Sequence, residues 1–220
     1  MRLILSLSLF LCCLSTSVNA ADDKPASATS EEGFVKLFDG KTLDGWQGGK
    51  DGYEVVDGAI VCKEKGGGNL YTEKEYGDFH LKLEFKLTPG ANNGIGIRAP
   101  LQGDPAFAGI ELQVIDDSAD RYKGLKEWQR HGSVYGVVPA KTGHQKPAGE
   151  WNQQEIIAKG NHITVILNGE KIVDADIEKA STPKTLDGRE HPGLKRDKGH
   201  ICFCGHGARV EFRNLTVKEL

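Results

Sequence analysis

The chain has 220 residues, with 28 lysines and arginines against 31 aspartates and glutamates, a formal net charge of −3 and 38% hydrophobic residues. Its basic residues are dispersed along the sequence rather than massed on one stripe, which argues against a nucleic-acid partner. Its longest apolar run, Leu3–Leu14, is too short for a membrane-spanning helix.

Met1–Ala20 reads as a secretory signal. Arg2 supplies the positive start, Leu3–Leu14 the apolar stretch, and Val18-Asn19-Ala20 a small-residue cleavage site. Leu11 before Cys12 argues against a lipid anchor. The expectation is an exported protein, periplasmic or secreted. Ala21–Glu32 is rich in Ala, Ser, Asp and Lys and predicts a short flexible leader. Residues 33–220 then suffice for one domain, with no internal repeat and no Pro/Ser linker. Past the signal, the cysteines are Cys62, Cys202 and Cys204. An odd count argues against a fully paired disulfide framework. Cys202 and Cys204 are two apart on a strand, too far to bridge without distortion. A bridge from one of them to Cys62 stays open, and small buried thiols are the simpler reading.

Phe34–Phe38 predicts a first strand, closed by Asp39-Gly40. Tyr53–Val56 and Ala59–Cys62 flank Asp57-Gly58, a strong hairpin signal. Gly66-Gly67-Gly68 is followed by a strand rather than a helix, which excludes a phosphate-binding loop. Phe79–Leu87 alternates apolar and polar residues, as a strand with one solvated face does. Strands follow at Gly94–Arg98, Ile110–Asp116, Ser133–Val138, Glu155–Lys159 and His162–Leu167. Asn168-Gly169 turns the chain into Lys171–Ile177, and His200–Cys204 and Val210–Leu220 close it. Ala119–Arg130 predicts at most a short helical turn, weakened by Gly124. Many short strands with Gly-rich turns predict an all-β sandwich or barrel, with the first and last strands paired. Pro100–Ala108 and Asp117–Gly132 are long insertions beside one strand, and long loops in compact domains are often functional.

That strand, within Gly109–Asp117, is the most informative. Ile110, Leu112 and Val114 share one face, and Glu111 and Gln113 share the other, about 7 Å apart at Cα. A carboxylate and an amide side by side on a rigid floor suit a sugar-binding groove; a half-solvated strand gives the same pattern. Asp116 is out of phase with Glu111 and should face away unless a bulge re-aims it.

Phe38-Asp39-Gly40-Lys41-Thr42-Leu43-Asp44-Gly45-Trp46, Tyr76-Gly77-Asp78-Phe79, Asn92-Asn93-Gly94-Ile95 up to Arg98, and Gly109 to Asp117 occur in that order. Ser133-Val134-Tyr135-Gly136, Gly149-Glu150-Trp151-Asn152, Lys159-Gly160-Asn161, Leu167-Asn168-Gly169, His206-Gly207 and Val210-Glu211-Phe212-Arg213-Asn214-Leu215 continue the series. The ordered set resembles the bacterial 3-keto-disaccharide hydrolase family, whose members are also described as 3-keto-glucoside lyases and 3-keto-2-hydroxy-glucal hydratases. The resemblance spans Phe34–Leu220 and implies a concanavalin/laminarinase-like jelly-roll β-sandwich of two antiparallel sheets. Two departures stand out. Asn92-Asn93-Gly94 replaces a common Asn-Ser-Gly. Cys204-Gly205-His206-Gly207 replaces a Gln-Asp-His-Gly run, which removes a carboxylate beside the His206 imidazole.

The resemblance implies an oxidised (3-keto) sugar or glycoside as substrate, supplied by an upstream oxidoreductase. The C3 ketone acidifies the C2 proton, its loss expels the C1 oxygen, and water then adds. Such chemistry needs a base, an acid and a group at the enolate oxygen. Glu111, His206 and Arg98 are the catalytic candidates. Gln113, Tyr135, Asp116 and Trp128 are the substrate-binding candidates, and Trp46 and Trp151 read as packing residues. No cofactor is predicted. The sequence has no H-x-x-x-H or paired C-x-x-C spacing, and calcium or another divalent metal at Asp116, Asp117 and Asp120 stays open. A non-catalytic carbohydrate-binding or adhesion module is the alternative reading. A retaining glycosidase needs two carboxyl groups about 5–5.5 Å apart, and the sequence places Gln113, not a second acid, beside Glu111. The enzymatic reading requires Glu111 and His206 to share one cleft.

Overall fold

A computed structural model describes residues 32–220. The predicted signal Met1–Ala20, and the predicted leader apart from Glu32, lie outside the described residues. In chain order the strands are β1 (Val35–Lys36), β2 (Trp46–Gly48), β3 (Tyr53–Val56), β4 (Ala59–Cys62), β5 (Gly68–Tyr76), β6 (Phe79–Leu87) and β7 (Asn92–Ala99). They continue as β8 (Ile110–Ile115), β9 (Trp151–Lys159), β10 (His162–Leu167), β11 (Glu170–Asp176), β12 (Gly199–Gly205) and β13 (Val210–Glu219). Two short helices, α1 (Pro105–Ala108) and α2 (Ile177–Ala180), interrupt the pattern. One antiparallel sheet runs β11-β10-β9-β6-β13-β4-β3, with β1 also paired to β13, and the other runs β2-β5-β12-β7-β8. The expected all-β sandwich of two antiparallel sheets is what forms.

Alternation explains the layers. Along β6, Phe79, Leu81, Leu83, Phe85 and Leu87 are buried while His80, Lys82, Glu84 and Lys86 are half-buried on the outer face. Rings tie the sheets together: Trp46 stacks on Phe203 with 5.3 Å between centroids, and Phe203 stacks at 3.8 Å on Phe212 of the opposite sheet. The expected pairing of the chain's first and last strands is present, with Val35 opposite Val217. Cys62, Cys202 and Cys204 are all free and buried.

Several expected elements differ. Ser133–Val138 is not a strand. Val137 and Val138 both donate backbone hydrogen bonds to the Val134 carbonyl, and Gly136 takes φ +76°, so the segment doubles back and only isolated bridges at Val134 remain. The first strand shrinks to Val35–Lys36, and β2 at Trp46–Gly48 was not expected at all. β7 and β9 begin earlier than expected, at Asn92 and Trp151. β11 ends at Asp176 because that carboxylate accepts from Glu178 N and Lys179 N and caps α2. Ala119–Arg130 forms two separate 3₁₀ turns, at Asp120–Tyr122 and Glu127–Gln129, with Gly124 between them.

One polar group sits inside the sandwich behind β8. Ile115 N donates to His131 Nδ1 at 3.4 Å, so the ring proton lies on Nε2, which donates to Gln154 Oε1 at 3.1 Å. Burial pushes this imidazole down to about 4, because the charged form has no water there. The unfolded chain holds His near 6.5. Its folded value is the lower one, so this group's contribution to stability is fully present above about pH 6.5, and up to about 3 kcal/mol of it is lost as pH falls toward 4. Urea unfolding free energies of the parent and His131→Gln should therefore diverge across that range, the parent losing up to about 3 kcal/mol relative to the variant as pH falls. A parent and variant with parallel pH profiles would contradict it.

Candidate active site

β8 carries the centre of the site. Ile110, Leu112 and Val114 point into the sandwich core, which turns Glu111, Gln113 and Ile115 to the opposite face of the five-stranded sheet. There they floor a cavity of about 380 Å³, whose walls include Asn92, Asp104, Phe107, Tyr135, Arg189 and His206. Glu111 and His206, the pair whose separation would have ended the enzymatic reading, therefore face the same space. Gln113 Nε2 donates to Asn92 Oδ1 at 2.6 Å, which fixes the orientation of both amides.

Glu111 lies on a bare patch of the neighbouring strand. A Cβ built on Gly94 would fall 1.8 Å from Glu111 Oε1, so only glycine leaves room for the carboxyl. The side chain is 6% exposed and makes no hydrogen bond or ion pair to the described residues. Burial, with Asp104 as a smaller contribution, pushes its pKa up to about 8. His206 is shifted the other way. It sits at the cavity mouth, its edge exposed, yet loss of water around the ring holds its pKa below the ordinary histidine value, and Asp104 only partly offsets this.

The walls come from the long loops. Asp104 accepts from Ala106 N at 3.0 Å and starts α1, with Pro105 at the first helical position. α1 is pinned from behind by a buried pair. His191 Nδ1 lies 3.0 Å from the Ala106 carbonyl and Nε2 lies 3.0 Å from Asp187 Oδ2, with only 1% and 3% of the two side chains exposed. Both ring nitrogens are thus spent, and His191 works as a strut. Asp187 N donates to Gly136 O at 3.1 Å, and a Cβ on Gly136 would meet Asp187 Oδ2 at 2.6 Å. Arg189, between the two, lays its guanidinium 3.8 Å from the Phe107 ring centroid.

Of the seven candidates from sequence, Glu111, Gln113, Tyr135 and His206 converge on the cavity, and three do not line it. Arg98 has φ +49°, where β7 and β12 slip register, and that bulge aims the side chain away. Its guanidinium is buried against Gly77 O, Arg196 O and Asp78 Oδ1, the last 3.1 Å away, and makes no pair with Glu111. Asp116 faces away from Glu111, as its phase requires; its carboxylate accepts from Gly90 N and Ser118 Oγ and shapes a turn. Trp128 stands edge-on to Tyr135 at 5.2 Å and backs that ring instead of meeting the cavity. The acidic run does not gather. Asp117 accepts from His131 N, Asp120 pairs with Lys123, and no group of three His, Cys, Asp or Glu side chains converges among the described residues. Trp46 is a core residue, and Trp151 is sandwiched between Lys86 and Arg213.

Sequence reading missed Asp104 and Arg189. The Asp104-Pro105 pair carries a readable signal, an N-cap followed by proline. Nothing local marks Arg189, which reaches the cavity through the Asp187–His191 strut.

Residues 33–218 match the model of the 3-keto-alpha-glucoside-1,2-lyase-like domain. A 3-keto-disaccharide hydrolase of Bacteroides thetaiotaomicron is 28% identical over 94% of this chain and 85% of its own length. A crystal structure of a Parabacteroides distasonis protein, provisionally described as a glycosyl hydrolase, superposes with a TM-score of 0.72 at 29% identity, covering 85% of this chain and 99% of that one. The carbohydrate-binding module CBM66 from Bacillus subtilis shares the fold, with a TM-score of 0.54 at 12% identity over 80% of this chain and 96% of its own.

The glycine floor is testable without substrate. Gly94→Ala should force the Glu111 carboxyl toward water. A carboxyl-carbon NMR titration should then place Glu111 near 8 in the parent and closer to an ordinary glutamate in the variant. An unchanged titration would refute the close contact.

Proposed function

This chain belongs to the 3-keto-α-glucoside-1,2-lyase-like family, and from that membership we propose that it cleaves 3-keto-glycosides by elimination and hydration. The C3 ketone makes the C2 hydrogen acidic. A base takes that proton, the electron pair enters the enolate, and collapse of the enolate breaks the C1–O bond while an acid protonates the departing oxygen. Water then adds across the C1–C2 double bond, and the sum is hydrolysis.

The observation that carries the reading is that one cavity holds two titratable groups shifted in opposite directions. Glu111, pushed up to about 8, holds its proton at neutral pH and serves as the acid at the leaving oxygen. His206, held below the ordinary histidine value, is a neutral imidazole at neutral pH and serves as the base at C2. Each is worth roughly 10²–10⁴-fold. Arg189 brings to this cavity the guanidinium expected of Arg98. Its guanidinium makes no ion pair to the described residues and faces the same cavity. The Gln113–Asn92 amide pair and Tyr135 hold sugar hydroxyls. Export by the Met1–Ala20 signal and supply of the keto-sugar by a separate oxidoreductase complete the proposal, and the support for export is the signal pattern itself. If export holds, Edman sequencing of protein recovered from producing cells should begin at Ala21.

Against pH, kcat/KM for a 3-keto-glucoside should be bell-shaped. The alkaline limb falls near pH 8, as Glu111 loses its proton, and the acid limb lies below about 6.5, as His206 gains one. Glu111→Gln should cost roughly 10²–10⁴-fold and abolish the alkaline limb. Activity rising through pH 8 would exchange the two roles. Binding without aglycone release at any enzyme concentration would leave a binding module. Asp104 brings a second carboxylate to the cavity, so cleavage of the unoxidised glucoside would instead mark an ordinary two-carboxylate glycosidase.

A further inference from the structure

A second cleft of about 730 Å³ lies beyond Arg189, lined among others by Asn161, Ser181, Thr182, Pro192 and Leu194. Arg189 is the one side chain that lines both this cleft and the Glu111 cavity among the described residues. We propose that the second cleft is the subsite for the leaving sugar of a 3-keto-disaccharide, with the Arg189–Phe107 stack as the shared wall over which the glycosidic bond is placed. This rests on the 3-keto-glycoside reading of the first cavity.

Size is the first reason. The Glu111 cavity, at about 380 Å³, sits near the low end of the range of roughly 300–1,000 Å³ seen for small-ligand sites. It holds the keto ring, and the second cleft is about twice as large. A second ring needs space on the side where the leaving oxygen departs, and Arg189 marks the side on which the large cleft opens. Chemistry is the second reason. Hydroxyl and amide groups of Ser181, Thr182 and Asn161 meet apolar surface from Pro192 and Leu194. That mixture suits a pyranose, which has hydroxyls at its edges and C–H groups on its faces. Rigidity is the third. The Asp187–His191 strut is buried, and Thr185 Oγ1 lies 2.6 Å from the Arg189 carbonyl and 2.9 Å from Asp187 Oδ1, so its one proton bonds either of them. The wall between the two spaces is therefore preformed, and a bound ring does not have to order it.

The test compares methyl 3-keto-glucoside with α- and β-linked 3-keto-diglucosides. In the parent protein, kcat/KM for one of the diglucosides should exceed that for the methyl glycoside by about tenfold or more. Glu190 is exposed at the cleft and makes no bond to the described residues. Glu190→Trp should fill the space and lower the ratio of the two kcat/KM values by about tenfold. A parent that treats all three substrates alike, or a ratio unmoved by Glu190→Trp, overturns the subsite. Glucose binding gives a reading that needs no turnover. It should shift backbone amide resonances between 181 and 195 in the parent and not in Glu190→Trp. If no keto-glycoside is cleaved but these shifts appear, the function above fails while the sugar site stands. If neither appears, both fail.

Discussion

Burial of Ile110, Leu112 and Val114 in the sandwich fixes which way Glu111 and Gln113 point. Side-chain direction alternates with period two, so a slip of one residue would put the carboxyl in the core and the aliphatic groups in the cavity. The register is held from the other side as well. Gly94 pairs with Gln113 and Gly96 with Glu111, and the bare backbone of β7 is the surface on which the carboxyl rests. A Cβ on Gly96 would meet Cys202 Sγ at 2.5 Å, so small residues and thiols together form this floor. Hydrophobic packing on one face of β8 thus delivers a carboxyl group to a dry place on the other. Its raised pKa follows from that delivery and needs no dedicated partner.

The rest of the cavity is built from loops, which carry high conformational entropy unless something ties them down. Here the ties are buried and directional. The Asp104 cap starts α1, the His191–Asp187 strut holds α1 by its Ala106 carbonyl, and Asp187 is seated against the bare backbone of Gly136. Phe107 lies between the His191 ring and the Arg189 guanidinium, at 4.8 Å and 3.8 Å, and stands edge-on to Tyr135 at 6.5 Å. A change in any one of these groups reaches the cavity wall through direct contact.

The floor of this site was legible in the sequence and the walls mostly were not. β6 and β8 alternate cleanly, so their burial, and with it the placement of Glu111 and Gln113, follows from residue order alone. The pairing of the first strand with the last and the buried free thiols also followed. Arg98 shows where such reading fails. Strict alternation from Gly94 and Gly96 keeps it on the cavity face, but a bulge with left-handed backbone sends it to the sheet's far end. The arginine that does line the Glu111 cavity is Arg189, whose neighbours in sequence are a turn and a strut. Its position depends on contacts to Gly136 and Ala106, separated from it by 53 and 83 residues. No local pattern encodes contacts of that span. Ser133–Val138 fails for a related reason: its β-branched residues favour a strand, but Gly136 permits a reversal that brings Tyr135 to the cavity.

The two buried groups nearest β8 also set opposite limits on the fold. His131 is neutral in the core and resists gaining a proton, so acid favours the unfolded chain between about 6.5 and 4. Glu111 resists losing one. Its folded pKa, at about 8, is above the ordinary glutamate value, so the folded state gains from its bound proton at low pH and that gain is lost as pH rises from about 4.5 through 8. The cost is several kcal/mol for a group so fully desolvated, comparable to a large part of a domain's net stability. A surface glutamate would avoid that cost but would be ionised at neutral pH. The hydrophobic face of β8 offsets it, since three aliphatic side chains buried on one side contribute about 1.5–3 kcal/mol each. The alternation that positions the acid is therefore also what makes its desolvation tolerable.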